Sequence, residues 1–330
     1  MNTCNMTKIR NTNIEILKFV LMVSIFSWHI LVHGYGFKNI NMGDYMYDEN
    51  IGIILSSLFA PATYCFMFIS GYYGINFSVK KIVSIEFWMI VVSVLTTIAD
   101  IVFFNSGGFI TLICSFFPLS TSRWWFMTNY MLIFLLSPIF NKGIENLSKQ
   151  TFKILVLSLI AYQVISMLRF QNNGGSNFLG LFTIFLLGRY CNIYAIEFRK
   201  NISLFSFLLA WLSLVALMIT CNKYSQHNVF VLLNYNTPFI MLMAVALFYF
   251  VKNIKPRYEL SINKLFKPNL FIYLVTDGLY VPFYMWIVSV LNQNIGLGLF
   301  ICLLTIIISL LVGCCIMYVT RFFLRNLILA

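Results

Sequence analysis

Residues 14–33 read IEILKFVLMVSIFSWHILVH, an apolar run interrupted by a glutamate, a lysine and two histidines. The run has the length of about twenty residues that an α-helix needs to cross roughly 30 Å of hydrocarbon. It is too long for the apolar part of a secretory signal peptide, and no small-residue cleavage site follows it. The stretch therefore predicts a transmembrane helix.

The rest of the chain repeats this composition, since 60% of its 330 residues are hydrophobic and only 10% are charged. A soluble domain has about 45–50% apolar and 25% charged residues. This excess excludes a soluble enzyme, a disulfide scaffold and a disordered chain. We predict an all-α, polytopic integral membrane protein that forms one membrane-embedded domain over residues 1–330. Its roughly ten transmembrane helices are predicted at 14–33, 51–76, 82–104, 124–141, 152–169, 178–197, 203–221, 229–251, 269–292 and 296–319.

Lysine and arginine are distributed unevenly between the loops. With the N-terminus in the cytoplasm, sixteen of these 22 residues fall on the cytoplasmic side and four outside, as the positive-inside rule requires. Both termini are therefore predicted to be cytoplasmic. Because the basic residues separate apolar runs instead of covering a soluble face, the net charge of +12 predicts no nucleic-acid partner. The short apolar piece within 105–123 is typical of a re-entrant or interfacial segment.

Neither the cysteines nor the histidines indicate a metal site. The eight cysteines show no metal-ligand spacing, and several lie inside apolar runs, where free cysteine behaves as a small hydrophobe. Three histidines without matching acidic ligands make a weak case for zinc. We therefore expect no metal.

Three ionisable side chains of the first predicted helix, Glu15, Lys18 and His29, lie at membrane depth, and a fourth, His33, lies at its outer edge. Such groups at membrane depth mark function by default. Glu15 and Lys18 are i, i+3 neighbours and can pair on one helix face. The eleven residues from Lys18 to His29 make three turns plus about 20°, so both side chains point the same way, about 16 Å apart along the axis. Lys18 then lies toward the cytoplasm and His29 beyond the midplane.

Each of these residues also has a structural interpretation. Lys18 can snorkel to the interface with Glu15 as its counter-ion, and His29 can be a buried, hydrogen-bonded side chain. Imidazole suits general base catalysis near neutral pH, because it can take a proton from a hydroxyl that attacks an acyl group. His33, one turn later, is more typical of a solvated histidine, and His227 is assigned no role.

Asp277 lies well inside the ninth predicted helix and needs a partner there. The sequence does not place Asp100 or Glu86 against it. Asn234, Asn236 and Pro238 interrupt the start of the eighth predicted helix, and broken helices at this depth usually line a cavity.

These segments, in this order, resemble the membrane acyltransferase 3 family, and most of all the O-acetyltransferases of bacterial surface and capsular polysaccharides. The likeness covers about residues 8 to 325 and begins with a basic residue, ten others and a histidine, here Lys18 to His29. It continues through Phe66 to Gly71 with Ser70, Trp125-Phe126 with Tyr130 and Ser137-Pro138, Gly188-Arg189-Tyr190, Asn234 to Phe239, and Phe271 to Asp277 with Tyr273. In two places the sequence departs from the family pattern: Lys18 stands where arginine is commoner, and Thr276 where a histidine is usual.

The resemblance implies a membrane-bound O-acyltransferase of the bacterial plasma membrane, surrounded by membrane lipids. Its donor would be acyl-CoA, usually acetyl-CoA, and its acceptor a hydroxyl of a cell-surface or lipid-linked polysaccharide. His29 would be the general base or a transient acyl carrier, and Lys18 with Glu15 would bind an anionic donor group or hold the helix. Arg189 would face the donor, and the acceptor side would be shaped by Ser70, Arg123, Trp125, Tyr130, Tyr273 and Asp277.

Three other functions remain open at this point. A transporter or flippase for a polar lipid or sugar needs similar buried polar residues, although the absence of clear inverted repeats weighs against it. A glycan polymerase or ligase usually has larger outer loops. An acyltransferase that has lost its activity is the third, because of Thr276.

Overall fold

The computed structural model of the chain describes residues 10–36, 49–168, 172–224, 229–279 and 281–327, and the regular structure in these ranges is entirely helical. A π-helical segment, Ile30–Gly34, extends the first helix, and two 3₁₀ turns lie at Asn172–Gly175 and Val229–Leu233. The α-helices are α1 Thr12–His29, α2 Glu49–Phe59, α3 Ala62–Tyr73, α4 Val79–Phe104, α5 Phe109–Cys114, α6 Trp125–Glu145, α7 Lys149–Leu168, α8 Phe178–Ile193, α9 Lys200–Tyr224, α10 Pro238–Lys252, α11 Leu260–Leu265, α12 Leu270–Gly278, α13 Val281–Gln293 and α14 Ile295–Leu327.

The all-α, multi-pass membrane architecture predicted from the sequence is confirmed. In the described ranges seven helical stretches are long and apolar enough to cross a membrane: Thr12–Gly34, Asn50–Tyr73, Val79–Phe104, Lys149–Met167, Lys200–Tyr224, Phe230–Lys252 and Ile295–Phe322. A bent pair, Leu260–Gly278 with Val281–Gln293, makes an eighth if it counts as one span. The count of ten and the cytoplasmic position of both termini stay predictions.

Most boundaries agree with the sequence-based ones to within about four residues, the usual error, but three elements differ more. The single helix predicted at 51–76 is divided by a turn at Ala60 and Pro61 into α2 and α3, because proline lacks an amide hydrogen. The helix predicted at 296–319 continues to Leu327 as α14. The single helix predicted at 269–292 is wrong, because α12 and α13 meet at 93°. Gly278 ends α12, Leu279 is extended, and Pro282, which lacks an amide hydrogen, sits in the first turn of α13.

Two other predicted interruptions are present. Residues 229–233 form a 3₁₀ turn, and α10 begins only at Pro238, where the Thr237 hydroxyl caps the helix by accepting from the Ile240 amide at 3.4 Å. Within 105–123 the structure has the six-residue helix α5, which is too short to span a membrane. Both breaks agree with the sequence-based interpretation.

Helix α1 lies inside the bundle and packs against α3, α10 and α12. Its start is fixed to the loop before α11, because the Thr12 amide donates to the Arg257 carbonyl at 2.8 Å and the Thr12 hydroxyl accepts from the Glu259 amide at 2.8 Å. This packing brings the end of α1 beside the end of α12.

The closest helix pair is α3 with α8, whose backbones touch at two glycines. A β-carbon on Gly71 would collide with the carbonyl of Phe185, and one on Gly188 with the carbonyl of Phe68. Small residues allow such close approach between helices in membranes. The Ser-Gly and Gly-Arg motifs noted in the sequence therefore meet across one contact.

Candidate active site

The candidate active site lies where the last residue of α1 meets the last turn of α12. Nδ1 of His29 is 3.3 Å from Oδ1 of Asp277, and the two side chains are only 11% and 18% exposed. The partner that Asp277 needs is thus His29, which lies on a helix far away in the sequence. The structure therefore places a carboxylate beside His29, the imidazole that the sequence suggested as a general base.

The backbone changes from α to π directly after His29. The Tyr35 amide donates to the Ile30 carbonyl at 3.0 Å, five residues back, which closes the wider turn. Gly34 packs against α13 so closely that a β-carbon would lie 2.9 Å from the Tyr284 carbonyl oxygen. π-Bulges are frequent at functional sites, and this one holds the end of the first span against α13.

Tyr284, on α13, is a third member of the site that the sequence did not indicate. Its buried hydroxyl donates to the Thr276 carbonyl at 2.8 Å and lies 3.4 Å from Nδ1 of His29. The 93° bend between α12 and α13 brings this tyrosine back over Asp277. The imidazole therefore contacts one element on each side of the bend.

This arrangement selects one neutral form of the imidazole. A carboxylate only accepts hydrogen bonds, so the proton of neutral His29 is favoured on Nδ1, toward Asp277. Nε2 is then left with its lone pair and can accept a proton from another molecule. In hydrolases a carboxylate placed behind a histidine acts in the same way and stabilises the imidazolium that forms.

A row of aromatic side chains extends from His29, and we call it the aromatic wall. The ring centroids of His29 and Tyr273 are 6.5 Å apart, Tyr273 meets Phe126 edge-on at 6.0 Å, and Phe126 stacks on Tyr130 at 5.9 Å. The Ser70 hydroxyl lies beside Tyr130 and donates to the carbonyl one turn back in its own helix. The wall consists of Tyr273, Phe126, Tyr130, Trp125 and Tyr235.

Trp125 and Tyr235 form the second half of the wall. Trp125 contacts Phe126 at 6.1 Å and Tyr235 at 5.5 Å between ring centroids, and Tyr235 stacks on Tyr64 at 5.0 Å. The Tyr235 and Thr63 hydroxyls are 3.3 Å apart. The interrupted start of the eighth predicted helix supplies Tyr235, so this break lines the same region as the first-helix histidine.

A separate charged cluster lies near the start of α1. The buried Glu15 carboxylate is 3.0 Å from the Lys18 ammonium and 3.5 Å from the Arg10 guanidinium. The pairing expected from the i, i+3 spacing is present. Arg189 is not part of this cluster, because its guanidinium lies against Gly74, at the end of α3.

A family model, described as acyltransferase domain of the acyltransferase 3 type, matches residues 11–314 of the chain. The chain belongs to the acyltransferase 3 family. No curated protein and no solved structure matches it. The protein is therefore a multi-pass membrane acyltransferase, and the matched range contains every residue described above for the active site and the charged cluster except Arg10.

Thr276 of this acyltransferase stands where the resemblance led us to expect a histidine. Its side chain is completely buried and its hydroxyl donates to the Ile272 carbonyl at 2.7 Å, one turn back in α12. The hydrogen bond of the Thr276 hydroxyl is therefore made within α12. The histidine that Asp277 contacts comes from α1 instead.

The side chain of Arg123 makes hydrogen bonds to the protein at the C-terminal end of α12. Its guanidinium donates to the Thr97 hydroxyl at 2.7 Å, the Thr96 hydroxyl at 3.0 Å and the Gly278 carbonyl at 2.7 Å. Gly278 directly follows Asp277, so these bonds attach the end of α12 to α4. The sequence placed Arg123 on the acceptor side, and these contacts make it a positioning residue for Asp277.

We expect Arg123→Lys to lower kcat for acyl transfer about tenfold or more while KM stays near the wild-type value. A lysine ammonium cannot reproduce the planar fork, and each lost hydrogen bond to a charged group costs about 1.5–3 kcal/mol. Steady-state kinetics of the purified protein measure the change, with the exposed Arg199→Lys as the matched control. A lower thermal stability with unchanged kcat would show that Arg123 acts only on stability.

Two residues of the site, His33 and Tyr284, have no role predicted from the sequence. His33 follows His29 by four residues, and this spacing was a usable signal because it places two imidazoles on one helix face. Their ring centroids are 5.3 Å apart. Tyr284 had no local signal, since only the bend between α12 and α13 brings it to His29. The expectation of no metal rested on the lack of an acidic partner, and Asp277 supplies one.

Proposed function

We propose that this acyltransferase transfers an acyl group, acetyl in the first instance, from acyl-CoA to a hydroxyl of a cell-surface or lipid-linked polysaccharide. The 3.3 Å contact between His29 and Asp277 is the observation that carries the proposal. It provides a base oriented for acyl transfer on the first helix, eleven residues from a charged cluster at the other end. The setting is a bacterial plasma membrane with both termini in the cytoplasm.

The proposed step is a direct acyl transfer with His29 as general base. Nε2 of His29 takes the proton of the acceptor hydroxyl as its oxygen attacks the thioester carbonyl. The new C–O bond forms, the C–S bond breaks, and the proton on Nε2 passes to the departing CoA thiolate. Asp277 accepts from Nδ1 throughout and stabilises the imidazolium. The same geometry also permits a transient acyl group on Nε2, and the kinetics would then be ping-pong.

The donor is proposed to bind at the cluster of Arg10, Glu15 and Lys18. CoA carries several phosphates, and a lysine ammonium is a compact point charge that binds phosphate. Glu15 holds Lys18 in place at 3.0 Å. With the CoA phosphates at this end of α1, the donor must extend about 16 Å along the helix for its thioester to reach His29. Arg189 is a further cation for the donor side.

The acceptor is proposed to bind along the aromatic wall. Pockets for small molecules are lined mainly by apolar and aromatic side chains with a few polar groups. The wall offers aromatic faces for the apolar face of a sugar ring, and the Tyr273 hydroxyl at its start is buried next to the Asp277 carboxylate. Trp125 and Tyr130 would hold the sugar while its hydroxyl meets Nε2 of His29.

The test is to delete the gene in its host and record NMR spectra of the purified surface polysaccharide. We expect O-acetyl signals to disappear and to return with the wild-type gene but not with His29→Ala. Unchanged acetylation with unchanged polymer would exclude a glycan acceptor of this kind. Unchanged acetylation with less polymer at the surface would favour the transporter or flippase.

A further inference from the structure

The structure places three metal-ligating side chains together at the C-terminal end of α1. The ligand atoms of His29, His33 and Asp277 all lie within 4.8 Å of one another. The geometry points to a binding site for a divalent transition metal, with Zn²⁺ as the best fit. Its two histidines come from one helix face and its carboxylate from a second helix.

The distances suit a zinc ion. Two ligands at about 2.0–2.1 Å from a tetrahedral zinc are about 3.3 Å apart, which is the distance between Nδ1 of His29 and Oδ1 of Asp277. His33 is the third ligand. Its exposed imidazole must approach by roughly 1.5 Å, given the Zn–N length of about 2.0–2.1 Å and the 4.8 Å limit of the cluster.

The kind of ligand identifies the kind of metal. Mg²⁺ and Ca²⁺ prefer six or more oxygen ligands, whereas two imidazoles and one carboxylate suit zinc and its neighbours in the first transition row. Three protein ligands leave a fourth position for water.

Metal binding and base catalysis require the proton of His29 on opposite nitrogens of the imidazole ring. A neutral imidazole that binds zinc through Nδ1 must carry its proton on Nε2, so Nε2 no longer accepts a proton. Asp277, bound to the metal, also stops accepting from His29. A metal-loaded protein is therefore inactive in acyl transfer. This effect on turnover rests on the proposed function, whereas metal binding itself does not.

The binding test uses purified protein without a histidine tag and with its thiols blocked, so that neither a tag nor the cysteines bind metal. Titration of Zn²⁺ against a chromophoric chelator is expected to give one tight site per chain. We expect His33→Ala and Asp277→Asn each to weaken this site at least tenfold. His227→Ala removes the third histidine of the chain and should leave the affinity unchanged.

Equal zinc affinity in wild type, His33→Ala and Asp277→Asn would overturn the proposal, and so would the absence of a stoichiometric site. Size-exclusion profiles confirm that the variants are folded, and His33→Gln serves as a second variant that keeps a similar side-chain size. Substitution by Co²⁺ gives an independent signal, because nitrogen and oxygen ligands in a tetrahedral site produce strong visible absorption.

The effect on turnover is measured within each variant, as the ratio of rates with and without zinc. We expect zinc to lower the wild-type rate at least tenfold and the His33→Ala rate less than twofold. Zinc binding without acyl transfer would leave the metal site standing and refute the proposed function. If zinc at saturating occupancy does not inhibit acyl transfer, the proposal that Nδ1 of His29 binds the metal is refuted.

Discussion

The His29→Ala protein is expected to transfer acyl groups at about one thousandth of the wild-type rate or less, within the range that general base catalysis contributes. The variant lacks the imidazole that Asp277 contacts at 3.3 Å and orients for taking the acceptor proton. Purified protein in lipid nanodiscs, incubated with radiolabelled acetyl-CoA and polysaccharide, measures the loss directly. Zinc and other divalent ions are chelated beforehand, so that the two proposed roles of His29 are separated.

The matched control for this experiment is His227→Ala, which removes an imidazole that lies outside the described residues. We expect wild-type rates from it. A folded His29→Ala protein with full activity would contradict the central claim, because the base would then have to be another group.

The second large effect is expected for Asp277→Asn, which should lower kcat about 10³-fold with little change in KM. The substitution keeps the size of the side chain but turns a pure acceptor into a group that also donates. An amide NH₂ directed at Nδ1 of His29 favours the proton on Nε2, which is the wrong form for a base. In serine proteases the same change behind the histidine costs about 10⁴-fold.

Asp277→Glu is the informative companion variant. It keeps the negative charge and displaces it by one methylene, so we expect an activity between those of wild type and Asp277→Asn. Equal activity of wild type and Asp277→Asn would show that the 3.3 Å contact does not orient the imidazole. If the Asp277 variants bind acyl-CoA more weakly but keep the wild-type kcat, Asp277 would instead belong to the donor site.

The helical fold could be read from the sequence because the length of each apolar run is dictated by the bilayer. The Glu15–Lys18 pair could be read as well, since helix geometry alone brings residues three apart together. The break at Leu279 was missed, because the run 269–292 is apolar enough overall to predict one helix, although Gly278 and Pro282 are residues typical of helix ends and starts. Neither residue gives the 93° angle between α12 and α13. This one bend is what brings Tyr284 to His29.

The pairing of His29 with Asp277 could not be derived from sequence for a related reason. Both residues were singled out as ionisable groups at membrane depth, yet no local rule states which helices are neighbours. Only the packing of α1 against α12 joins them. Arg123 shows the same limit, since the resemblance implied a place on the acceptor side and only the structure shows its hydrogen bonds to α4 and to the end of α12.

The backbone contact between α3 and α8 has a consequence for how the bundle can move. Two helices that touch through glycines have no layer of side chains between them to slide or repack. Sliding one past the other would drive a neighbouring β-carbon into a carbonyl oxygen, so Ser70 and Arg189 travel as one rigid block.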